Sequence, residues 1–80
     1  MFYVYVLKSE KNGRRYIGMS NDPKKRLIQH NGGYTQSTKA FRPWEIVHVE
    51  SFETLMEAVQ REKYLKSGVG REYLNRILHL

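Results

Sequence analysis

Residues 2–20, FYVYVLKSEKNGRRYIGMS, decide the fold. Positions 2 to 8 are almost wholly apolar or aromatic and rich in β-branched and ring side chains. That is the composition of a strand covered on both faces, so this segment is expected at the centre of a sheet. Glu10, Lys11, Asn12 and Gly13 break the pattern, and Asn-Gly is a strong hairpin signal, leading into a second strand around Arg14 to Met19. Register then decides whether Tyr5 and Tyr16 share a site, because side chains alternate between faces. With Asn12-Gly13 as a two-residue turn the rings share a face, but Tyr16 falls opposite Ser9, ~13 Å along the strand from Tyr5. A longer loop from Lys8 to Gly13 sets the two tyrosines directly opposite one another, and the ladder is expected closer to that register.

Beyond the hairpin, Asp22 before Pro23 starts a helix: the Asp side chain accepts from free first-turn amides, and Pro at the first helical position loses no needed donor. This helix is expected from Pro23 to about His30, stopped by Gly32 and Gly33. The stretch Gly32 to Pro43 has no periodic pattern and reads as a long loop of the kind that carries function. Trp44 to Phe52, with Ile46, Val47 and Val49, reads as a third strand. Thr54 and Glu57 form a capping box for a second helix from Leu55 to Lys66 or Ser67, where Gly68 is expected to close it in the left-handed conformation. A third helix over Arg71 to Leu80 places Tyr73 or Leu74, Ile77 and Leu78 on one face. The order ββαβαα is that of an α+β fold, a small antiparallel sheet with helices against it.

Eighty residues suffice for a single domain with a thin core and no linker. Lys and Arg outnumber Asp and Glu by 14 to 8, a formal charge of +6 that favours a polyanionic partner. Nucleic acid ranks first. An anionic membrane ranks second and is set aside, since no apolar run exceeds a few residues. The absence of cysteine excludes disulfides and thiolate metal sites and fits a reducing cytoplasm. MFYVYVLK lacks the basic leader and cleavage site of a signal peptide. His30, His48 and His79 lie 18 and 31 residues apart, which matches no compact zinc spacing.

Glu62 is anomalous. Leu55, Ala58, Val59 and Leu65 define the expected buried stripe of the second helix, and Glu62 lies on it. A desolvated carboxylate needs a partner, here either Mg²⁺ or a base such as Arg26, and the two readings weigh about evenly. Arg26 has His30 one turn later on the same helix face. A guanidinium suits phosphate because its planar fork makes paired charge-assisted bonds and keeps its proton, although most surface arginines are simply solvated. In the loop, Ser37, Thr38, Lys39 and Arg42 are candidates for gripping a nucleic-acid backbone, and Tyr34 and Phe41 for stacking on bases or anchoring the loop.

Tyr3-Val4-Tyr5, then ten residues, then Tyr16-Ile17-Gly18, with Arg26 and His30 eight and twelve positions after that glycine, resembles the GIY-YIG nuclease superfamily. The likeness is greatest to its small stand-alone bacterial members and extends through Arg42-Pro43-Trp44, Arg61-Glu62-Lys63 and Gly70-Arg71-Glu72-Tyr73-Leu74. Related catalytic domains occur in homing endonucleases and in the ABC excinuclease. The resemblance implies a three-stranded antiparallel sheet flanked by helices. It also implies that Tyr5, Tyr16, Arg26 and Glu62 match the motif's functional positions, Glu62 as metal ligand, and that His30 matches a position often occupied by histidine. Tyr3 stands where the motif's name has glycine, and a late asparagine of these domains has only Asn75 as its counterpart.

On that resemblance the expected activity is metal-dependent hydrolysis of phosphodiester bonds of nucleic acid, DNA favoured over RNA, with one divalent cation, Mg²⁺ or Mn²⁺, held by Glu62. Arg26 would neutralise charge on the transition state, with Tyr5 or His30 as general base and Tyr16 orienting water or phosphate. A tyrosine base near its free pKa of about 10 requires a strong local shift. Lys39 and Arg42 are expected to bind substrate. The rival reading is a nucleic-acid-binding module without turnover, acting with a partner protein.

Overall fold

The central strand is determined by what covers it. In the computed structural model, which describes residues 1–78, β1 (Phe2–Ser9) buries Val4, Tyr5, Val6 and Leu7 completely, so consecutive side chains on both faces are removed from water. It lies between β2 (Arg15–Ser20) and β3 (Trp44–Phe52) in an antiparallel sheet of order β2-β1-β3. Val4 and Val6 meet Ala58, Leu65 and Leu74 from α3 (Leu55–Lys66) and α4 (Gly68–Leu78). Tyr5 and Leu7 point the other way, into a cluster with Trp44, Tyr16, Leu27, Phe41 and Ile46 that is roofed by α1 (Pro23–Asn31) and the short α2 (Gln36–Lys39). A bulge in β3 opposite Val6 and Leu7 skips one residue, so that Val47 packs on the helix-pair side while Ile46 and Trp44 turn to the tyrosine side.

The hairpin register lies between the two that the sequence suggested. Tyr5 pairs with Gly18 and Tyr16 with Leu7, so the tyrosines are diagonal neighbours rather than directly opposite. The turn explains the difference. Ser9 Oγ accepts from the amides of Lys11 and Asn12, Asn12 Oδ1 accepts from the Arg14 amide, and Gly13 at φ 79° completes a loop that closes with Ser9 N donating to Arg14 O.

The stretch from Gly32 to Pro43 is more ordered than its sequence suggests. Asn31 clasps the Trp44 backbone through two hydrogen bonds, Trp44 Nε1 donates to Thr38 O, and Ser9 Oγ donates to Phe41 O at 2.6 Å. These contacts satisfy buried polar groups with side chains, a pattern without a local periodicity. No helix among the described residues is long and apolar enough to cross a membrane.

The α3–α4 junction overturns a second expectation. Gly68 does not close α3 in the left-handed conformation; Gly13 and Gly33 are the glycines with positive φ. Ser67 is instead the hinge, extended at φ −77° and ψ 167°, with its Oγ donating to Tyr64 O and accepting from Gly70 N. That cap starts α4 at Gly68 rather than at Arg71, and the expected end at Leu80 lies outside the described residues. The buried line of α3 is also rotated. Leu55 and Val59 are exposed, and the line runs through Ala58 and Leu65 with half-buried Arg61 and Glu62 between them. Arg61 belongs there because Glu50 accepts from its Nε and Nη2 at 2.7 and 3.2 Å while the rings of Tyr64 and Tyr73 flank the guanidinium. Burial pushes the Glu50 carboxyl upward, but the hydrogen bonds from Arg61 and His48 outweigh it and hold the pKa below the ordinary 4.5. This clamp stabilises the fold above the ordinary carboxylate range and is lost as pH falls through the depressed pKa.

The two junction glycines make opposite demands. A Cβ at Gly70 would run into Tyr64 O and the Leu65 backbone, whereas one at Gly68 meets nothing. Urea denaturation of Gly70→Ala is expected to show a loss of about 1–3 kcal/mol. Gly68→Ala is expected to be neutral or to gain up to about 1 kcal/mol.

Candidate active site

Tyr5 enters the site through its strand position. Its ring crosses the sheet over Gly18, and a Cβ at Gly18 would stand 2.5 Å from the Tyr5 hydroxyl and 2.6 Å from Cζ. Glycine at this position is what lets a large ring lie flat against β2. Two residues earlier, Tyr16 projects from the same face, its ring centroid 6.4 Å from that of Tyr5 and 4.7 Å from that of His30.

His30 reaches the cluster from the last turn of α1, a helix capped at its start by Asp22 as expected. It is fully buried, with Nε2 3.2 Å from the Tyr5 hydroxyl and Nδ1 2.8 Å from Thr38 Oγ1. Thr38 Oγ1 in turn donates to Thr35 O at 3.3 Å. These partners assign the proton positions: the threonine hydrogen goes to the carbonyl, Nδ1–H donates to the threonine oxygen, and bare Nε2 accepts from the Tyr5 hydroxyl. Burial, and then the Arg26 charge, lower the His30 pKa from its ordinary 6.5, which agrees with a neutral ring. Burial raises the Tyr5 phenol above its ordinary 10.0, against the opposing pull of Arg26.

Arg26, one turn before His30, is half-buried at the rim of this cluster. Its Nη1 donates to Gln29 Oε1 at 3.0 Å, and Tyr5, then Tyr16, raise the pKa of its guanidinium, while its charge acts back on Tyr5. Glu62 comes from α3, the helix that covers the opposite face of the sheet, yet its charge also pushes the Tyr5 phenol upward. Its side chain is 24% exposed, and Lys66 contacts it at 3.8 Å one turn along the helix. The salt bridge to Arg26 considered from the sequence is not formed. A distant, exposed lysine leaves the carboxylate oxygens available to another ligand.

The expected residues therefore divide into layers. Tyr5 and His30 are inaccessible to solvent, while Tyr16, Arg26 and Glu62 are half-exposed. Lys39 and Arg42 are not in the cluster. They line a separate pocket of about 530 Å³ with Lys11, Gln36 and Ala40, and Arg42 Nη1 rests against Gly33. Thr38, expected among residues gripping a backbone, is buried as the histidine's partner. Phe41 anchors the loop in the core beneath the Arg14 guanidinium, and Tyr34 is exposed. Asn75 accepts from Arg15 Nη2. Sequence reasoning missed Gly18, Thr38 and Trp44 as supports of the site. Gly18 follows from the correct register, but nothing local marks Thr38.

The described residues hold no cluster of three or more His, Asp or Glu side chains suited to a metal ion. Glu62 would thus be a lone protein carboxylate. That donor set suits a hard cation that keeps several waters and takes its other oxygens from substrate phosphate.

The chain is similar to known proteins in sequence and in fold. The GIY-YIG catalytic domain family matches residues 1–75. A UPF0213 protein of Staphylococcus saprophyticus is 41% identical over 66 residues, covering 81% of this chain and 79% of its own. The structure-specific endonuclease subunit SLX1 of Candida dubliniensis is 40% identical over 83 residues, covering 92% of this chain but only 29% of its own length. The solution NMR structure of a UPF0213 protein from Bacillus halodurans superposes with a TM-score of 0.58 at 28% identity, covering 96% of this chain and 85% of that one. The antiparallel sheet and flanking helices are thus shared with a solved structure.

Gly18→Ala tests the room for the Tyr5 ring, because the added Cβ would fall where that ring lies. The added methyl group should displace Tyr5 from His30 and lower stability by about 1–3 kcal/mol in denaturant melts. The His30 ring resonances should shift in NMR spectra. An unshifted His30 would mean that the Tyr5 hydroxyl is not held as described.

Proposed function

Given that this chain belongs to the GIY-YIG catalytic domain family, we propose that it is a metal-dependent endonuclease that hydrolyses phosphodiester bonds of nucleic acid, DNA before RNA. The observation that carries this reading is the buried Tyr5–His30–Thr38 chain beneath the accessible layer of Tyr16, Arg26 and Glu62. A chain of oriented hydrogen bonds ending on a neutral imidazole is an acceptor for a proton taken at the surface.

Arg26 binds the scissile phosphate with its fork and offsets the charge that develops on the equatorial oxygens. The charge of Arg26 also acts on the Tyr5 hydroxyl, so its turn toward phosphate would free that hydroxyl to meet the water that enters with the substrate. Tyr5 takes a proton from that water and passes its own to His30 Nε2, while Tyr16 orients the water from the rim. Tyr5 and His30 thus act in series, rather than as the alternatives posed by the sequence. On this reading burial holds the phenol protonated, and the imidazole beside it removes the proton at the moment of attack. Glu62 would hold one divalent cation, Mg²⁺ or Mn²⁺, which supplies Lewis-acid stabilisation of phosphate oxygens when bound. The SLX1 relatives, named as structure-specific endonuclease subunits, support nucleic acid as the substrate class.

The test is a cleavage panel of single-stranded, duplex and branched DNA and of RNA, each with Mg²⁺ or Mn²⁺. Glu62→Gln should abolish cleavage while oligonucleotide binding is retained. Tyr5→Phe, which removes only the hydroxyl, should lower kcat by about 10²–10⁴. No metal-dependent cleavage of any substrate by the native protein would sink the enzyme reading and leave a binding module.

The relay also sets the pH dependence. His30 must be neutral to accept a proton, and its pKa lies below 6.5. The rate should therefore be flat through neutral pH and fall only as pH drops below that value. A rate that instead climbs toward pH of about 10 would make a free Tyr phenolate the base and remove His30 from the mechanism.

A further inference from the structure

Around the outer edge of β2 from the tyrosine cluster, a cleft of about 520 Å³ opens between the start of that strand and the α3–α4 junction. Arg14, Arg15, Tyr16, Lys66, Arg71 and Leu74 are among its walls, and no carboxylate of the described residues lines it. Each cation is differently occupied. The Arg14 guanidinium lies 4.5 Å above the Phe41 ring, and among the described residues Lys66 has only its 3.8 Å contact with Glu62. Arg15 is held by Nη2 donating to Asn75 Oδ1, but its Nη1 is buried without an acceptor among the described residues. Arg71 is exposed on the first turn of α4, with no side-chain hydrogen bond or ion pair among the described residues.

Like charges converging on one cavity repel each other, and a desolvated guanidinium nitrogen without an acceptor is costly. A bound anion relieves both. The cleft is also continuous with the proposed reaction site at two points: Tyr16 lines the cleft and packs against His30, and Lys66 follows Glu62 by one helical turn. A nucleic-acid strand presents its phosphates in series, so a strand crossing the β2 edge offers one phosphate to each.

We propose that this cleft binds a second backbone phosphodiester of the substrate strand, next to the one engaged by Arg26, through Arg15, Lys66 and Arg71. The inference rests on the nuclease reading. It locates the grip on the strand at the helix junction, rather than at Lys39 and Arg42 in their separate pocket.

The test is equilibrium binding of a fluorescent single-stranded oligonucleotide in EDTA, repeated over a range of KCl concentrations. Native protein, Arg71→Gln, Arg15→Gln and the control Lys24→Gln are compared, the control removing the same charge from exposed α1. Arg71→Gln and Arg15→Gln should weaken binding about five-fold at 0.1 M salt and reduce the slope of log K against log salt by ~0.7, the loss of one phosphate contact. Lys24→Gln should change neither by a comparable amount. If Arg15→Gln does not fold, Arg71→Gln, on an exposed position, decides the matter alone. Arg71→Gln behaving like the control overturns the cleft proposal while leaving the nuclease reading intact. Native protein that binds no oligonucleotide also overturns the cleft proposal, while the nuclease reading stands or falls separately on the metal-dependent cleavage panel.

Discussion

A phenol hydroxyl buried at the middle of the central strand must be hydrogen-bonded, and the structure is organised around meeting that requirement for Tyr5. His30 supplies the acceptor, which ties α1 to β1. His30 then needs a partner for its own Nδ1–H, which Thr38 provides, and Thr38 is held by Thr35 and by Trp44 Nε1 donating to its carbonyl. Each step recruits a segment further along the chain, until the long connection between α1 and β3 is part of the core. Gly18 is the steric counterpart, since the Tyr5 ring occupies the space of any side chain there. Core and candidate site are consequently one structure on this face of the sheet.

The opposite face does different work. Its apolar residues, Val4, Val6, Ala58, Leu65 and Leu74, make a small cluster, as befits a chain of 80 residues. The Glu50–Arg61 clamp extends it with a two-point ion pair seated between aromatic rings. Arg61 and Glu62 are consecutive on α3, so the clamp that holds Arg61 inward also sets the direction in which Glu62 leaves the helix. A structural ion pair thereby positions the carboxylate proposed to hold metal, although the two groups share no contact.

The proposed function keeps protons and phosphate in separate layers. Buried Tyr5, His30 and Thr38 are polarised by one another and shielded from bulk water, where a proton relay would be short-circuited. Tyr16, Arg26 and Glu62 meet the solvent, where the proposed polyanionic substrate would arrive under the pull of a +6 chain. Arg26 bridges the layers, since its charge acts on Tyr5 and His30 from the rim. The basic cleft beyond the β2 edge continues the outer layer without touching the inner one.

Much of the fold was legible in the sequence, because the relevant physics is local. The unbroken apolar run of β1, the Asp22-Pro23 start of α1 and the Thr54–Glu57 capping box are each complete within a few residues, and each element forms where those signals place it. The identities of Tyr5, Tyr16, Arg26, His30 and Glu62 as candidates were legible too, through spacing and resemblance. Tertiary structure decided what these residues do to each other. Side-chain capping by Ser9 set the hairpin register, a serine hinge displaced Gly68, and the separation of accessible from buried groups arose from packing α1 and α2 over one face of the sheet. The Tyr5–His30–Thr38 chain joins residues 25 and then 8 positions apart. No local pattern encodes such a chain, because a hydrogen bond between distant side chains exists only once the backbone has brought them together.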